Sequence, residues 1–297
     1  MKVLLTGSTG QLGNALIKSM PTGIDLIATR RAELDLSIRE ECYKAVLKYQ
    51  PDWVINSGAF TAVDNAEVEE DLATAINSIA PKTFAEALNQ TGGKLLQIST
   101  DFVFDGKQNV PYKTNQLKKP INVYGKTKAA GEDAIKNVII NSYKAVIIRT
   151  GWLMGPFGKN FLNTMLTLHR SQKEIRVVSD QIGCPTSSLT LANACWKTIE
   201  MHSSEEPKSL TPKILHWSDS GYASWYEVAK TIGEFAHIKG LIKKPANVLP
   251  IMTSQYPTPA SRPRYSILDC NSTREFLDLP GIHWKDSILN VMEQINS

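Results

Sequence analysis

The 297-residue sequence is short of the features that mark several large protein classes. Its four cysteines, Cys42, Cys184, Cys195 and Cys270, lie far apart and form no CxxC pair. That spacing suits neither a zinc site nor a secreted disulfide framework and points to a reducing cytoplasm. The five histidines show no HExxH or paired spacing, which argues against a metal hydrolase and leaves no metal expected. Gly-x-Ser-x-Gly does not occur, so a serine esterase elbow is unsupported. No apolar run approaches the ~18 residues of a membrane span. The apolar stretch after Met1 is too short for a signal peptide, so a cytoplasmic protein without a membrane partner is expected. The net charge of +4 is spread along the chain without a dense basic block. That distribution argues against a nucleic-acid surface and is compatible with an anionic small molecule.

Short β-branched runs alternate with longer amphipathic ones through the first half, the pattern of βαβ units and a parallel sheet. Strands are expected around residues 3–5, 26–29, 33–36, 53–56, 94–99 and 145–148. Ser37-Ile38-Arg39-Glu40 has the form of a capping box opening a helix. A single helix is expected over roughly 70–88, and others near Val123, over 160–169 and over 225–235. The fold class expected is α/β, a doubly wound, Rossmann-type parallel sheet with a smaller, discontinuous C-terminal substrate lobe. Residues 1–150 would form the dinucleotide-binding domain, with some later segments returning to it, and residues 151–297 mainly the lobe.

Between the first strand and first helix lies Thr6-Gly7-Ser8-Thr9-Gly10-Gln11-Leu12-Gly13. Gly7 permits a tight turn, Gly10 lets backbone approach a pyrophosphate, and Gly13 lets the helix pack on the sheet. The spacing is GxxGxxG where GxGxxG is commoner in dehydrogenases. The second strand runs into Arg30-Arg31 with no acid at its tip, which favours a 2′-phosphate and hence NADPH. Asp35 and Leu36 are placed to meet the adenine. Tyr124 and Lys128 stand one helical turn apart on one face. An adjacent ammonium should stabilise the phenolate and lower the tyrosine pKa toward the working range of a general acid. Ile98 and Thr100 end a strand, at the side of the sheet where such folds bind ligands.

With these motifs, the chain resembles the extended short-chain dehydrogenase/reductases over nearly its whole length. The resemblance is carried by the nucleotide turn, Gly58-Ala59-Phe60-Thr61-Ala62-Val63-Asp64, Ser99-Thr100-Asp101-Phe102-Val103-Phe104-Asp105-Gly106 and Tyr124-Gly125-Lys126-Thr127-Lys128. Arg149-Thr150-Gly151-Trp152, Asp180-Gln181-Ile182-Gly183-Cys184-Pro185-Thr186 and Tyr256-Pro257-Thr258-Pro259-Ala260-Ser261-Arg262-Pro263 complete it. It implies a catalytic trio of Thr100, Tyr124 and Lys128. It also implies cofactor contacts from Gly58, Ala59, Phe60 and Thr61, and substrate contacts from Val63, Asp101 and Trp152. Asn160 and Arg262, with Lys159 and Arg264, are candidate diphosphate partners. The activity implied is NADPH-dependent reduction of the C4 ketone of a dTDP-linked keto sugar, dTDP-4-dehydro-L-rhamnose, with NADH accepted by some members. A sugar-nucleotide epimerase on the same fold is the alternative enzyme. A non-catalytic, NADP-binding regulatory subunit, like the β-subunit of methionine adenosyltransferase, is the alternative from another class. A homodimer is left open. Asn14 and Ala15 offer no carboxylate after the nucleotide turn, which speaks against a magnesium-linked one.

Overall fold

The structure is a computed structural model and describes residues 1–139, 144–202 and 213–295. The chain opens with β1 (Lys2–Thr6), α1 (Gln11–Lys18), β2 (Asp25–Ala28), α2 (Arg39–Tyr49) and β3 (Trp53–Asn56). A helical stretch follows: α3 (Val63–Ala66), α4 (Glu70–Thr74), one π-helical turn (Ala75–Ile79) and α5 (Ala80–Thr91). Next come β4 (Lys94–Thr100), α6 (Val123–Val138), β5 (Ala145–Thr150), β6 (Leu153–Met154), α7 (Phe161–Ser171) and β7 (Glu174–Val178). After them lie β8 (Ile182–Gly183), β9 (Thr186–Ser187), α8 (Ser188–His202), β10 (Ile214–His216) and β11 (Ala223–Ser224). The chain ends with α9 (Trp225–Ile238), β12 (Asn247–Ile251), α10 (Asn271–Leu277) and α11 (Trp284–Ile295).

A six-stranded sheet ordered β10-β5-β4-β3-β1-β2 forms the centre, and all its pairings are parallel. The central strands are apolar on both faces because helices cover both, as parallel sheets require. Alternate residues serve the two layers: Val3 and Leu5 pack toward α1 and α8, while Leu4 packs toward α2 and α5. β10 and α8 belong to this body although they follow residue 150, and Trp196 of α8 donates to the Leu16 carbonyl of α1 at 3.2 Å. A second apolar core gathers α7, α9 and α11 around the parallel pair β7 and β12.

Two local expectations are corrected. Residues 33–36 form turns, not a strand, so β2 is the sheet edge. Leu34 is drawn into the core instead, and the Arg30 carbonyl accepts from the Leu34 amide at 3.0 Å. The capping box at Ser37 is also absent. Asp35 Oδ1 captures both the Ser37 amide (2.9 Å) and its hydroxyl (2.7 Å), and α2 starts from Ile38 without a side-chain cap. The strand order reverses between β1 and β3, and there the carboxyl ends of neighbouring strands leave a crevice.

Candidate active site

The crevice begins at the glycine-rich turn. Gly7 has φ +65°, and a Cβ there would stand 2.7 Å from the Gly58 backbone. At Gly13 a Cβ would meet the Gly7 carbonyl oxygen at 2.2 Å, so α1 can rest on the turn only through glycine. Gly10 differs: an added Cβ would touch only the Gly7 oxygen, at 3.2 Å, and the space beyond is open. Gly10 is the N-cap of α1 and offers no side-chain cap, which leaves the first amides available to an anion.

Beneath the turn runs a buried polar ladder that sequence reasoning missed. The Thr6 hydroxyl donates to Asn56 Oδ1 (2.6 Å), Asn56 Nδ2 to Gln97 Oε1 (2.8 Å), and Gln97 Nε2 to the Ile98 carbonyl (2.7 Å). These residues sit on β1, β3 and β4, so the ladder ties three strand ends in register. The Gly58 amide donates to Thr6 Oγ1 at 3.2 Å, which holds the post-β3 loop against the nucleotide turn.

Asn77 fixes the other side of that loop. The π-helical turn interrupts the single helix expected over 70–88 and places Asn77 in the interior. Its Oδ1 accepts from the Phe60 amide (2.9 Å), and its Nδ2 donates to the Phe60 carbonyl (3.0 Å) and to Thr127 Oγ1 (3.2 Å). One side chain therefore links the Ala59–Thr61 loop to α6. Gly131 permits the approach, since a Cβ there would stand 2.2 Å from the Asn77 carbonyl oxygen. A π turn is set by packing against α6, and no local sequence signal announces it.

α6 carries Tyr124 and Lys128 into the crevice. Asn122 caps it, accepting from the Gly125 amide at 2.7 Å. Glu132 and Arg149 form a buried bidentate pair (2.8 and 2.7 Å), and the Ser99 hydroxyl donates to Glu132 at 2.6 Å. Burial alone would raise the Glu132 carboxyl, but Arg149 holds it below its usual range. Sequence reading met Arg149 only as the first residue of the Arg149–Trp152 motif and did not pair it with Glu132, because the two are joined by the fold and not by a helical or strand interval.

A cleft of about 350 Å³ lies over the strand ends, lined by Thr100, Tyr124 and Lys128 together. Gln11, Leu12, Ala59, Thr61, Val63, Ile98, Asp101 and Trp152 line it too. Lys128 Nζ donates to the Ile98 carbonyl at 2.6 Å, and burial pushes its pKa down to about 8, with Glu132 opposing. Tyr124 departs from expectation. Burial pushes it up to about 12; the neighbouring Thr100 hydroxyl pulls the other way and the Asp101 charge adds to the rise. The ammonium does not lower it as expected from the i, i+4 spacing, because Lys128, buried as well, has lost its own proton near 8, well before the phenol would ionise. Thr100 Oγ1 donates to Asp101 Oδ1 (3.0 Å) and accepts from the Phe102 amide (3.2 Å), capping the 3₁₀ turn that follows β4. Burial raises Asp101 to about 6 against hydrogen bonds from Ser266 and Thr100.

Other candidate residues sit around the cleft. Arg30 is exposed and pairs with Glu33 at 2.8 Å, so the turn supplies at the tip of β2 the carboxylate that the linear sequence lacked there. Asp35 is held by Ser37 and by Arg31 (3.3 Å), and Leu36 packs against Gly58. Asn160 caps α7; its amide donates to Gln11 Oε1 and the Gly155 carbonyl, each at 2.9 Å, and it lines neither of the cavities described here. Arg262 lines a second cavity of about 550 Å³, which shares Phe102, Trp152 and Trp225 with the cleft. Its guanidinium is committed to Asp64 (2.7 and 3.1 Å) and to Thr258 Oγ1 (2.6 Å). Among the described residues, no helix is long and apolar enough to cross a membrane.

Comparison with known proteins places this geometry in context. A family model described as the RmlD substrate binding domain matches residues 1–297. The spore coat polysaccharide biosynthesis protein SpsK of Bacillus subtilis is 36% identical, over 100% of this chain and 98% of that protein. The dTDP-4-dehydrorhamnose reductase of Salmonella typhimurium is 33% identical, over 99% and 98%. The crystal structure of dTDP-4-dehydrorhamnose reductase from Bacillus anthracis in complex with NADP superposes with a TM-score of 0.88 at 34% identity, covering 99% of each chain.

Proposed function

The chain belongs to the RmlD substrate binding domain family, and on that premise we propose that it reduces dTDP-4-dehydro-L-rhamnose to dTDP-L-rhamnose with NADPH. The observation that carries the reading is the convergence of Thr100, Tyr124 and Lys128 on one cleft beside an uncapped, glycine-lined helix start. The residues present fit the cofactor. The space above Gly10 is open, and the α1 amides suit a diphosphate. Gly7 to Gly13, Arg30, Asp35, Leu36, Gly58 to Thr61, Ile98, Tyr124 and Lys128 would hold it. When bound, NADPH supplies the hydride.

The protein's own groups handle the proton. As the ketone carbon is reduced, negative charge develops on its oxygen, and a donor aimed there lowers the barrier. Tyr124, held near 12, keeps its proton at neutral pH and yields it only to a stronger base such as the developing alkoxide. Thr100 can turn its O–H from Asp101 to the ketone oxygen by rotation about one bond; Asp101 then keeps Ser266 as a partner. Lys128, cationic below about 8 and anchored on Ile98, presents positive charge to the cofactor and to Tyr124. Val63, Asp101 and Trp152 form the sugar end of the cleft. Asn160 and Arg262 serve the diphosphate only if their present partners, Gln11 and Asp64, let go. Residues 1–150 with α8 and β10 make the dinucleotide-binding body, and most of the remainder makes the substrate lobe.

The test follows absorbance at the nicotinamide band with NADPH and dTDP-4-dehydro-L-rhamnose. Stoichiometric loss of NADPH is expected. An epimerase would return its cofactor unchanged, and a regulatory subunit would show no turnover; either result would overturn the proposal.

A further inference from the structure

Trp152 has a backbone that its position in the chain does not explain. Among the described residues three non-glycine positions have positive φ: Gln50, Asp278 and Trp152. The first two end α2 and α10 in left-handed caps, which helices commonly use. Trp152 lies between β5 and β6 with φ +50°, a conformation costly for a bulky side chain. Such strain persists only where surrounding structure over-determines it.

The surroundings are a two-stranded antiparallel ribbon of β8 and β11, which pairs Gly183 with Ala223 and Ile182 with Ser224. Both strands deliver a contact to the Trp152 indole. Gly183 lies hard against it: a Cβ there would stand 2.4 Å from Cε2 and 2.6 Å from Nε1. Trp225 follows directly after β11 and stacks on the indole with centroids 3.5 Å apart and planes within 4°. Trp225 is itself fixed. Ser224 and Glu227 form a reciprocal capping box at the start of α9, and Phe161 packs on the Trp225 ring at 4.5 Å. The Thr186 amide donates to the Trp152 carbonyl at 3.1 Å, which pins the backbone as well. Both tryptophans line the cleft that holds Thr100 and Tyr124.

We propose that Trp225 is a positioning residue for sugar recognition, acting with Gly183 to lock the Trp152 indole as a preformed wall of the sugar subsite. The inference rests on the keto-sugar reductase reading. The part of the indole that Trp225 and Gly183 leave uncovered gives the cleft an apolar edge for the methyl-bearing side of a 6-deoxyhexose, and a wall fixed in advance spares the substrate the cost of ordering it. The tight packing at Gly183 also accounts for the glycine in the Asp180–Thr186 motif.

The experiment compares wild type, Trp225→Ala, Trp225→Phe and Gly183→Ala by steady-state kinetics, varying keto sugar and NADPH separately, with melting curves to establish folding. In Trp225→Ala the KM for dTDP-4-dehydro-L-rhamnose should rise roughly 2- to 12-fold, the range that loss of one aromatic stack implies. The KM for NADPH should stay within about twofold, since no cofactor contact is removed. Trp225→Phe keeps a ring on the indole and should restore most of the loss. Gly183→Ala keeps Trp225 but drives a methyl into the indole from β8, and should raise the same KM. It also serves as the independent test if Trp225→Ala does not fold. An unchanged sugar KM in a folded variant, equal loss for both substrates, or a Trp225→Phe no better than alanine would overturn the inference. Wild type inert toward the keto sugar would remove the reductase reading and this inference together, whereas active wild type with indifferent variants removes the inference alone.

Discussion

Raising the pH from 7 to 9 titrates Lys128 in the free enzyme. Its ammonium is buried, with 4% of the residue's surface exposed, and burial moves its pKa from 10.5 down to about 8, with Glu132 pulling it back up. The group is cationic below that value and neutral above it. With a pKa of about 8, roughly nine-tenths is charged at pH 7 and roughly one-tenth at pH 9. If the cation is needed, kcat/KM for the keto sugar should be level near pH 7 and about tenfold lower at pH 9, because that parameter reports the free enzyme. Tyr124 lies too high, at about 12, to produce this limb, and Asp101, at about 6, belongs to the acid side. Glu132→Gln removes the charge that raises Lys128 and leaves Arg149 unneutralised nearby, so both effects move the break to lower pH. Denaturation can be separated by sign. Between about 8 and 10.5 the unfolded chain binds more protons at Lys128 than the folded one, so this group's contribution to stability rises with pH while activity falls. Melting curves across the same range check that separation. A kcat/KM level through pH 9.5, or a Glu132→Gln break displaced upward, would refute the assignment of the cation to catalysis.

Two further outcomes follow from the same geometry. Tyr124→Phe removes the acid but keeps the ring that packs edge-on against Phe102 at 5.8 Å; kcat should fall about 10²- to 10⁴-fold while NADPH binding, followed by fluorescence, persists. Arg30→Ala should lower the ratio of kcat/KM for NADPH over NADH, and Glu33→Ala, which frees Arg30 from its 2.8 Å partner, should raise it; steady-state kinetics with both cofactors read the pair, and an unmoved ratio in both excludes Arg30 from 2′-phosphate recognition.

Much of this protein was legible from local sequence. Apolar runs of strand length and amphipathic runs of helix length give the sheet and its covering helices, because burial acts on every turn and strand separately. The glycine turn was legible because its constraint is backbone-local: Gly13 meets atoms only a few residues away. Tyr124 and Lys128 shared a face by helical spacing alone. Where competition between nearby polar groups decided, the reading failed, as when Asp35 took the Ser37 hydroxyl from the expected capping box.

Only the tertiary structure decided the remainder, since the deciding partners are distant in the chain. Arg262 meets Asp64 across 198 positions, which turns a candidate anion ligand into an ion pair bridging two segments. Asn160 spends its amide on Gln11, 149 residues away. Asn77 reaches Phe60 and Thr127 only because a π turn rotates it inward, and Trp225 reaches Trp152 only because β8 and β11 pair. The charge state followed the same rule. Helical spacing sets Tyr124 beside Lys128, but the fold withdraws both from water, and desolvation, which no sequence interval encodes, drives the phenol up and the ammonium down.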